Sequence, residues 1–364
     1  MQIKEVINYL EEMAPKAYAE DFDNVGLLVG NTETTVTGVL VTLDTLENIV
    51  EEAIENNCNL IVSFHPIIFK GIKKFNGSTY VERVIMKAIK NDIAIFAIHT
   101  ALDNAYNGVN DMICEQLALK NRKILIPQKG TIKKLETFAP TNTANQVLNA
   151  LFEAGAGTIG NYSNCSFSSD GTGTFKASED ADPVIGNIGE IHQEKETQLQ
   201  VTFPKHLEKN ILDALLKQHP YEEVAYEITT LENKNQHIGM GMIGELETPM
   251  NELDFLKHLK KVFNVGCIRH SALLEKPIKK VAVLGGSGSF AIKNAIQAKA
   301  DIFITADLKY HQFFEAEKKL ILADIGHYES EQYTKNLIVR YLRKKISNFA
   351  IILSDKTTNP IQYI

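Results

Sequence analysis

Three histidines in this 364-residue chain each follow an apolar run of strand length: His65 in "NLIVSFHPIIFKG", His99 in "DIAIFAIHTALDN" and His327 in "KLILADIGHYESEQ". Imidazole ligates transition metals and titrates near neutral pH, so the chemistry these positions offer is metal binding or proton transfer. Carboxylates accompany them. Asp103 lies four residues after His99, and Glu331 four residues after His327. The second pair stands at a predicted helix start, where i, i+4 spacing puts both side chains on one face of the first turn. His65, Asp103, His327 and Glu331 are therefore the candidate metal ligands. Nitrogen donors among carboxylates favour zinc, iron, manganese or nickel over calcium or magnesium. A divalent metal with an open position lowers the pKa of water to about 7 and polarises a carbonyl or phosphoryl oxygen, which makes metal-assisted hydrolysis the natural reaction class.

Each residue taken singly has a plainer explanation. A strand-end histidine often only bonds a loop carbonyl, Glu331 can favour a helix dipole, and Asp103 can serve an Asx-turn or a helix start. Their joint placement on one predicted rim separates the two readings. His99, next to Thr100, is expected to orient Asp103 or its loop rather than to ligate. Two further segments face the same rim. "VAVLGGSGSF" places Gly286 and Ser287 between a strand and a helix, where backbone N–H groups can hold an anion, although it matches neither a Walker loop nor a strict GxGxxG. "ITADLKYHQ" carries Asp307, Lys309 and His311; Lys309 suits a phosphate and His311 a proton carrier, against the alternative of a solvated cation beside a capped helix.

The elements that must position these residues alternate. From the N-terminus to about residue 125, "TGVLVTLD", "NLIVSF" and "IAIFAI" are separated by helical patterns such as "TLENIVEEAIENN" and "TYVERVIMKAIKND". The pattern returns after residue 275 with "KKVAVLGG", "DIFITAD" and "LILADIG". Such alternation predicts βαβ units, a mostly parallel sheet and an α/β fold, and in open α/β sheets ligands gather at the carboxyl ends of strands. Between the blocks, roughly Lys134 to Leu231, strands "KLETFAP", "ETQLQVTFP" and "EVAYEITTL" mix with helices "ANQVLNALFEAG" and "HLEKNILDALLKQH" and with a glycine-rich polar stretch. This reads as β-α-β-β-α-β, the split unit of a ferredoxin-like α+β domain. The predicted division is 1–127 and 237–364 as the two halves of one α/β domain, with 128–236 inserted.

Composition narrows the function classes. The formal charge is −7 with 44% hydrophobic residues, and no long basic run is present to neutralise a phosphate backbone, so nucleic acid is not the expected ligand. No segment approaches the ~20 apolar residues of a membrane span, and "MQIKEVINYLEEMAPKAYAEDFD" is an acidic amphipathic helix rather than a signal core. Four cysteines without a CxxC pair fit a reducing compartment, and a cytoplasmic location is expected.

The motifs "DFDNVGLLVG", "SFHPIIF", "HTALDNAYNGVND", "LGGSGS", "TADLKYH" and "GHYESE", in this order and spacing, resemble the GTP cyclohydrolase 1 type 2 homologs, also called the Nif-three-like family. The middle segment, with "GTGTF" and "HPYEEVAYEI", resembles the PII-like or CutA-like domain inserted in longer bacterial members. The resemblance implies a toroidal homohexamer with a dinuclear divalent-metal site, one or two ions per subunit. By motif, one ion belongs to His65, Asp103 and Glu331. The second belongs to His327, a bridging Glu331 and the histidine that usually precedes the HP dipeptide. Here that position is Phe64, which cannot ligate. The family label implies hydrolytic opening of a nucleotide-like substrate, with His327 and Glu331 at the reacting centre and Gly286, Ser287, Lys309 and His311 around the bound molecule. The rival expectation is a non-catalytic metal-binding scaffold whose inserted domain senses a small ligand.

Overall fold

The computed structural model describes residues 1–364, which divide into two compact units, Met1–Pro127 with Gln236–Ile364, and Gln128–Asn235. The first unit holds two sheets. In the five-stranded sheet, Val39–Thr42, Leu60–Ser63, Ala94–Ala97 and Ile351–Leu353 run parallel, and Gly26–Val29 pairs antiparallel with Ala94–Ala97 at the edge. Every residue of Val39–Thr42, Leu60–Ser63 and Ala94–Ala97 is buried. These strands read as unbroken apolar runs because both faces of a parallel sheet are covered. On one face the amphipathic helices Glu47–Glu55 and Tyr80–Lys90 bury Ile49, Val50, Val84 and Ile85 against Leu40, Ile61 and Ile95. The second helix starts where Thr79 accepts the Glu82 N–H, an N-cap that satisfies one orphan donor.

The six-stranded sheet is mixed. Its centre, Ile278–Ser287, Ile302–Ala306 and Ile321–Asp324, is parallel, while Arg269–His270 and the long strand Asn235–Met250 lie antiparallel beside it. The expected predominance of parallel strands therefore holds for four strands of the first sheet and for the three central strands of the second. Asn235–Met250 departs from it inside the second sheet, pairing antiparallel with Ile278–Ser287 while Lys120–Gln128 takes the edge beyond it. One core draws on both sheets, with Val41, Val62 and Phe96 from the first, Val281, Val283, Ile302 and Ile304 from the second, and Ile113, Ile338 and Leu342 from helices Val109–Gln116 and Thr334–Lys345.

The second unit has the element order β-α-β-β-α-β. Its four antiparallel strands lie in the order Ser166–Lys176, Ile191–Pro204, Ile132–Pro140, Tyr226–Leu231, with helices Ala144–Glu153 and Glu208–Gln218. Leu135, Leu199, Val201 and Phe203 pack against Val147, Leu151, Ile211 and Leu215, which is the one-sided burial that produces alternating strands. Ser166–Lys176 lies within the glycine-rich polar stretch. Nearly all its residues are exposed, and it is held by its full-length pairing with Ile191–Val201 rather than by an apolar face.

Candidate metal centre

The strand Leu60–Ser63 ends two residues before His65, and Ala94–Ala97 ends two residues before His99. Ile321–Asp324 gives way through Gly326, at φ +93°, to the five-residue helix His327–Glu331. The carboxyl-end rim thus assembles side chains from both sheets of the first unit. His65 Nε2 lies 3.1 Å and His327 Nε2 3.2 Å from the same atom, Oε2 of Glu331. These three groups form a set whose ligating atoms all lie within 4.8 Å of one another. Neither contact has hydrogen-bond alignment, and the buried Oε2 has no other partner. A buried carboxylate oxygen without a donor is costly unless something positive occupies the space it faces.

The far sides of both imidazoles are fixed. His65 Nδ1 is 2.8 Å from Asp44 Oδ1, and His327 Nδ1 is 2.7 Å from Asp307 Oδ2. A carboxylate on Nδ1 leaves Nε2 as the free ligating nitrogen and sets the ring plane, the arrangement that supports a metal-binding histidine. Asp44 is in turn held by Thr358, whose hydroxyl donates to Oδ2 at 2.5 Å, and Asp307 receives the Ser287 hydroxyl at 2.6 Å. Asp307 adopts φ +58°, a left-handed conformation costly for most residues, which delivers its carboxylate to His327. Gly286 permits the close approach behind Glu331. At φ +65°, a Cβ there would sit 2.4 Å from Glu331 Oε1, so no other residue fits without moving the carboxylate.

Charge and burial oppose each other across the cluster. Burial disfavours the charged form of His65, but contacts with Asp44 and Glu331 outweigh it and raise the imidazole to about 10. The same competition, with Glu331 and Asp307 prevailing, raises His327 to about 9. Burial would raise Glu331, yet His327 and His65 bring it down to about 2. Asp103 goes the other way, held well above the usual carboxylate range by burial and by the charge of Glu331.

Asp103 lines the same cleft from helix His99–Asn104, and its buried Oδ1 has no hydrogen-bond partner, but it lies outside the tight three-residue set. His99 also lines the cleft. Its Nδ1 bonds Asp23 Oδ1 at 2.9 Å, and Asp23 further receives the Thr100 N–H and hydroxyl, so the carboxylate that His99 engages is Asp23 and not the expected Asp103. Despite burial, these bonds from His99 and Thr100 bring Asp23 down to about 2. Phe64 is fully buried, its ring centroid 4.9 Å from that of His65 and 5.5 Å from that of His99, and it offers the cluster no donor. Ser287 lines the cleft, whereas Lys309 and His311 are exposed and contribute nothing to its wall. The N–H groups of Gly285 and Gly286 are taken by Asn110 Oδ1 and Ser330 Oγ.

Asp44, Asp23 and Thr358 went unread in the sequence. Asp44 follows the strand end in "TGVLVTLD", the same signal that singled out the histidines, and it was open to the same argument. Asp23 stands in a loop and Thr358 in the irregular C-terminal segment, where neither periodicity nor spacing points to a site.

A family model described as Duf34/NIF3 (NGG1p interacting factor 3) matches residues 1–360. A Bacillus subtilis relative named GTP cyclohydrolase 1 type 2 homolog is 38% identical over 367 residues, covering 99% of this chain and 98% of that protein. A Staphylococcus epidermidis relative of the same name is 36% identical, with both chains covered completely. Among solved structures, a Bacillus cereus protein related to NIF3 superposes with a TM-score of 0.89 at 37% identity, covering 100% of this chain and 99% of that one.

Proposed function

The chain belongs to the Duf34/NIF3 family, and from that premise we propose that it is a divalent-metal-dependent hydrolase acting on a nucleotide-like substrate. The observation that carries the reading is Oε2 of Glu331, buried, without a hydrogen bond, and close to two carboxylate-backed imidazole nitrogens. The donor set fits a cation on three counts. Two Nε2 atoms converge with one carboxylate oxygen, the orphaned Oδ1 of Asp103 adjoins them in the cleft, and a glycine stands where any side chain would displace Glu331. Mixed nitrogen and oxygen donors suit zinc, iron, manganese or nickel.

His65, His327 and Glu331 would hold the ion, with Asp103 as the completing oxygen. When bound, such an ion supplies Lewis acidity and makes water a usable nucleophile near neutral pH. The chain's own residues do the remainder. Asp44 and Asp307 aim the two rings and keep their Nε2 atoms toward the cleft. Burial and the charge of Glu331 push Asp103 toward its protonated form, so its carboxyl can carry a proton at the cleft. Glu331 and His327 are the groups nearest the reacting centre. A homohexameric ring with the inserted unit as a PII-like domain belongs to the same proposal and is tested by light scattering.

One observation favours a second reading, a metal-binding scaffold whose inserted unit senses a ligand. A cavity of about 680 Å³, against about 550 Å³ for the cleft, lies in that unit beside Phe138, Phe175 and Tyr221. We assign the chemistry to the smaller space because the ligating atoms converge there. Metal content, calorimetry and turnover with GTP and other nucleotides separate the readings. Turnover by the metal-loaded protein that disappears in His65→Ala is expected. Tight binding without turnover would favour the scaffold, and equal behaviour of both proteins would remove the hydrolase reading.

A further inference from the structure

Resting on the metal-site reading above, we propose that the cleft recognises its substrate chiefly through a planar heteroaromatic ring, with no cationic side chain in its own wall to hold a polyphosphate. Four large aromatic side chains line the cleft while remaining about half exposed or more: Phe22 at 66%, Phe69 at 49%, Tyr80 at 54% and Phe290 at 58%. They arrive from four separate segments: the loop before Gly26–Val29, the loop after His65, the first residue of helix Tyr80–Lys90, and the turn Ser289–Ala291. No single amphipathic element explains their convergence. An exposed ring is usually an isolated event, whereas a group around one concave, partly apolar cleft is what a bound molecule would cover. Phe22 and Phe69 already stand as a pair, with centroids 6.4 Å apart and planes tilted by 50°.

The polar part of the wall points the same way. None of the residues lining the cleft itself is lysine or arginine, Lys70, Lys73 and Lys74 lining instead the adjoining cavity beyond Phe69 and Tyr80, and the charged groups that face the cleft are the carboxylates Asp44, Asp103 and Glu331 and the imidazoles. Three donors of the glycine-serine turn are already engaged. The Gly285 N–H goes to Asn110, the Gly286 N–H to Ser330 and the Ser287 hydroxyl to Asp307. A triphosphate entering here would meet carboxylates, apart from the cation itself. A heteroaromatic ring would meet π faces on which any base can stack, with its edge directed toward His65 and His327.

The test is calorimetry on the zinc-loaded full chain with guanosine, adenosine and GTP, with metal content and molar mass measured on every sample. We expect a nucleoside to bind, GTP to bind no more than about threefold tighter than guanosine, and Phe22→Ala or Phe69→Ala to weaken nucleoside binding about tenfold, from the usual loss on removing one stacking ring. Metal content should not change, and Phe22→Tyr should restore binding. GTP binding tenfold or more tighter than guanosine overturns the inference, as does wild-type affinity in the alanine variants. A change of molar mass in those variants overturns it too, because the rings would then belong to a contact between copies. Absence of nucleoside binding at full metal content overturns this inference alone, whereas absence of metal in the wild type overturns the reading beneath it.

Discussion

The cleft of the first unit and the polar sheet face of the second handle buried or half-buried carboxylates in opposite ways. In the second unit the half-buried carboxylates Glu136 and Glu196 on that face are met by neighbouring donors. Gln198 and Gln200 donate to the two oxygens of Glu136 and Tyr221 donates to Glu196 at 2.8 Å, while on the opposite face Thr197 donates to Asp170. No buried side-chain acceptor there lacks a partner, while the first unit leaves five side-chain oxygens without one: Asp103 Oδ1 and Glu331 Oε2 at the cleft, and Thr45 Oγ1, Glu329 Oε2 and Thr334 Oγ1 on residues outside its lining. Folding alone rewards the first pattern and penalises the second, and what singles out the cleft is that two unmatched carboxylate oxygens line one space with the converging Nε2 atoms of His65 and His327. Carboxylate count is no guide to this, since the second unit is as rich in acidic groups.

If the comparison is sound, its largest consequence falls on Glu331. Glu331→Gln keeps the shape but removes the charge shared by His65 and His327. Metal affinity measured by competition with a chromogenic chelator should fall by about a thousandfold or more, because a ligand is lost and two imidazoles lose their counter-charge. Retained affinity would show that the cluster is an ion-pair network and not a metal site. Next comes Phe64→His. Burying an imidazole where a fully buried phenyl ring packs should lower unfolding stability by about 2–3 kcal/mol in denaturant titrations. If the position is the missing ligand of a second ion, metal stoichiometry in the variant should rise by one per chain, and an unchanged stoichiometry would make Phe64 a core residue only.

Much of the cleft was legible in advance because its logic is positional. His65, His327 and Glu331 stand where strands end and a helix begins, and strand ends are visible as apolar runs. The split order of the second unit was also readable, from alternating strands and amphipathic helices. What stayed hidden depends on distance in the chain. Thr358 reaches Asp44 across 314 positions, and Asp23 reaches His99 across 76, contacts that no periodicity encodes. The antiparallel strands Gly26–Val29, Asn235–Met250 and Arg269–His270 are not legible for a related reason, since periodicity reports which face is buried and not which neighbour a strand takes. Phe64 shows the converse. Its burial as the continuation of a core strand is what pattern alone predicts, and only the resemblance gave the position a chemical meaning.

The proton inventory of the cleft gives the third consequence. His65 and His327 titrate at about 10 and about 9 in the metal-free fold, above the ordinary imidazole value. The stabilisation from their ion pairs is therefore complete below the unfolded value near 6.5 and is lost as pH rises through 9 to 10. Glu331, lowered to about 2, contributes in the opposite sense, with stability present above its unfolded value near 4.5 and lost as pH falls toward 2. A cation must displace both imidazole protons, so apparent metal affinity should rise by up to about a hundredfold per pH unit between pH 7 and 8 and level off above pH 10. Calorimetry in buffers of different ionisation enthalpy counts the released protons, and a value near zero would contradict the geometry.

The two smallest effects test the contrast most directly, because each removes one hydroxyl donor from one carboxylate. Thr358→Val leaves Asp44 Oδ2 without its donor and loosens the carboxylate that aims His65. The expected result is about tenfold weaker metal binding, the usual cost of losing an outer-shell partner, with little change in unfolding midpoint. Tyr221→Phe removes the bond to Glu196 in the second unit, a pair in which burial and the carboxylate together hold the phenol well above its ordinary value. A hydroxyl donor on a half-buried carboxylate is worth about 1–2 kcal/mol, so this variant should show a modest stability loss and unchanged metal affinity. The two substitutions are chemically alike, yet one should be read out in metal binding and the other in stability alone. Should both shift stability equally and leave metal binding untouched, the orphaned acceptors of the cleft would have to be regarded as ordinary packing defects, and the distinction between the two regions would fail.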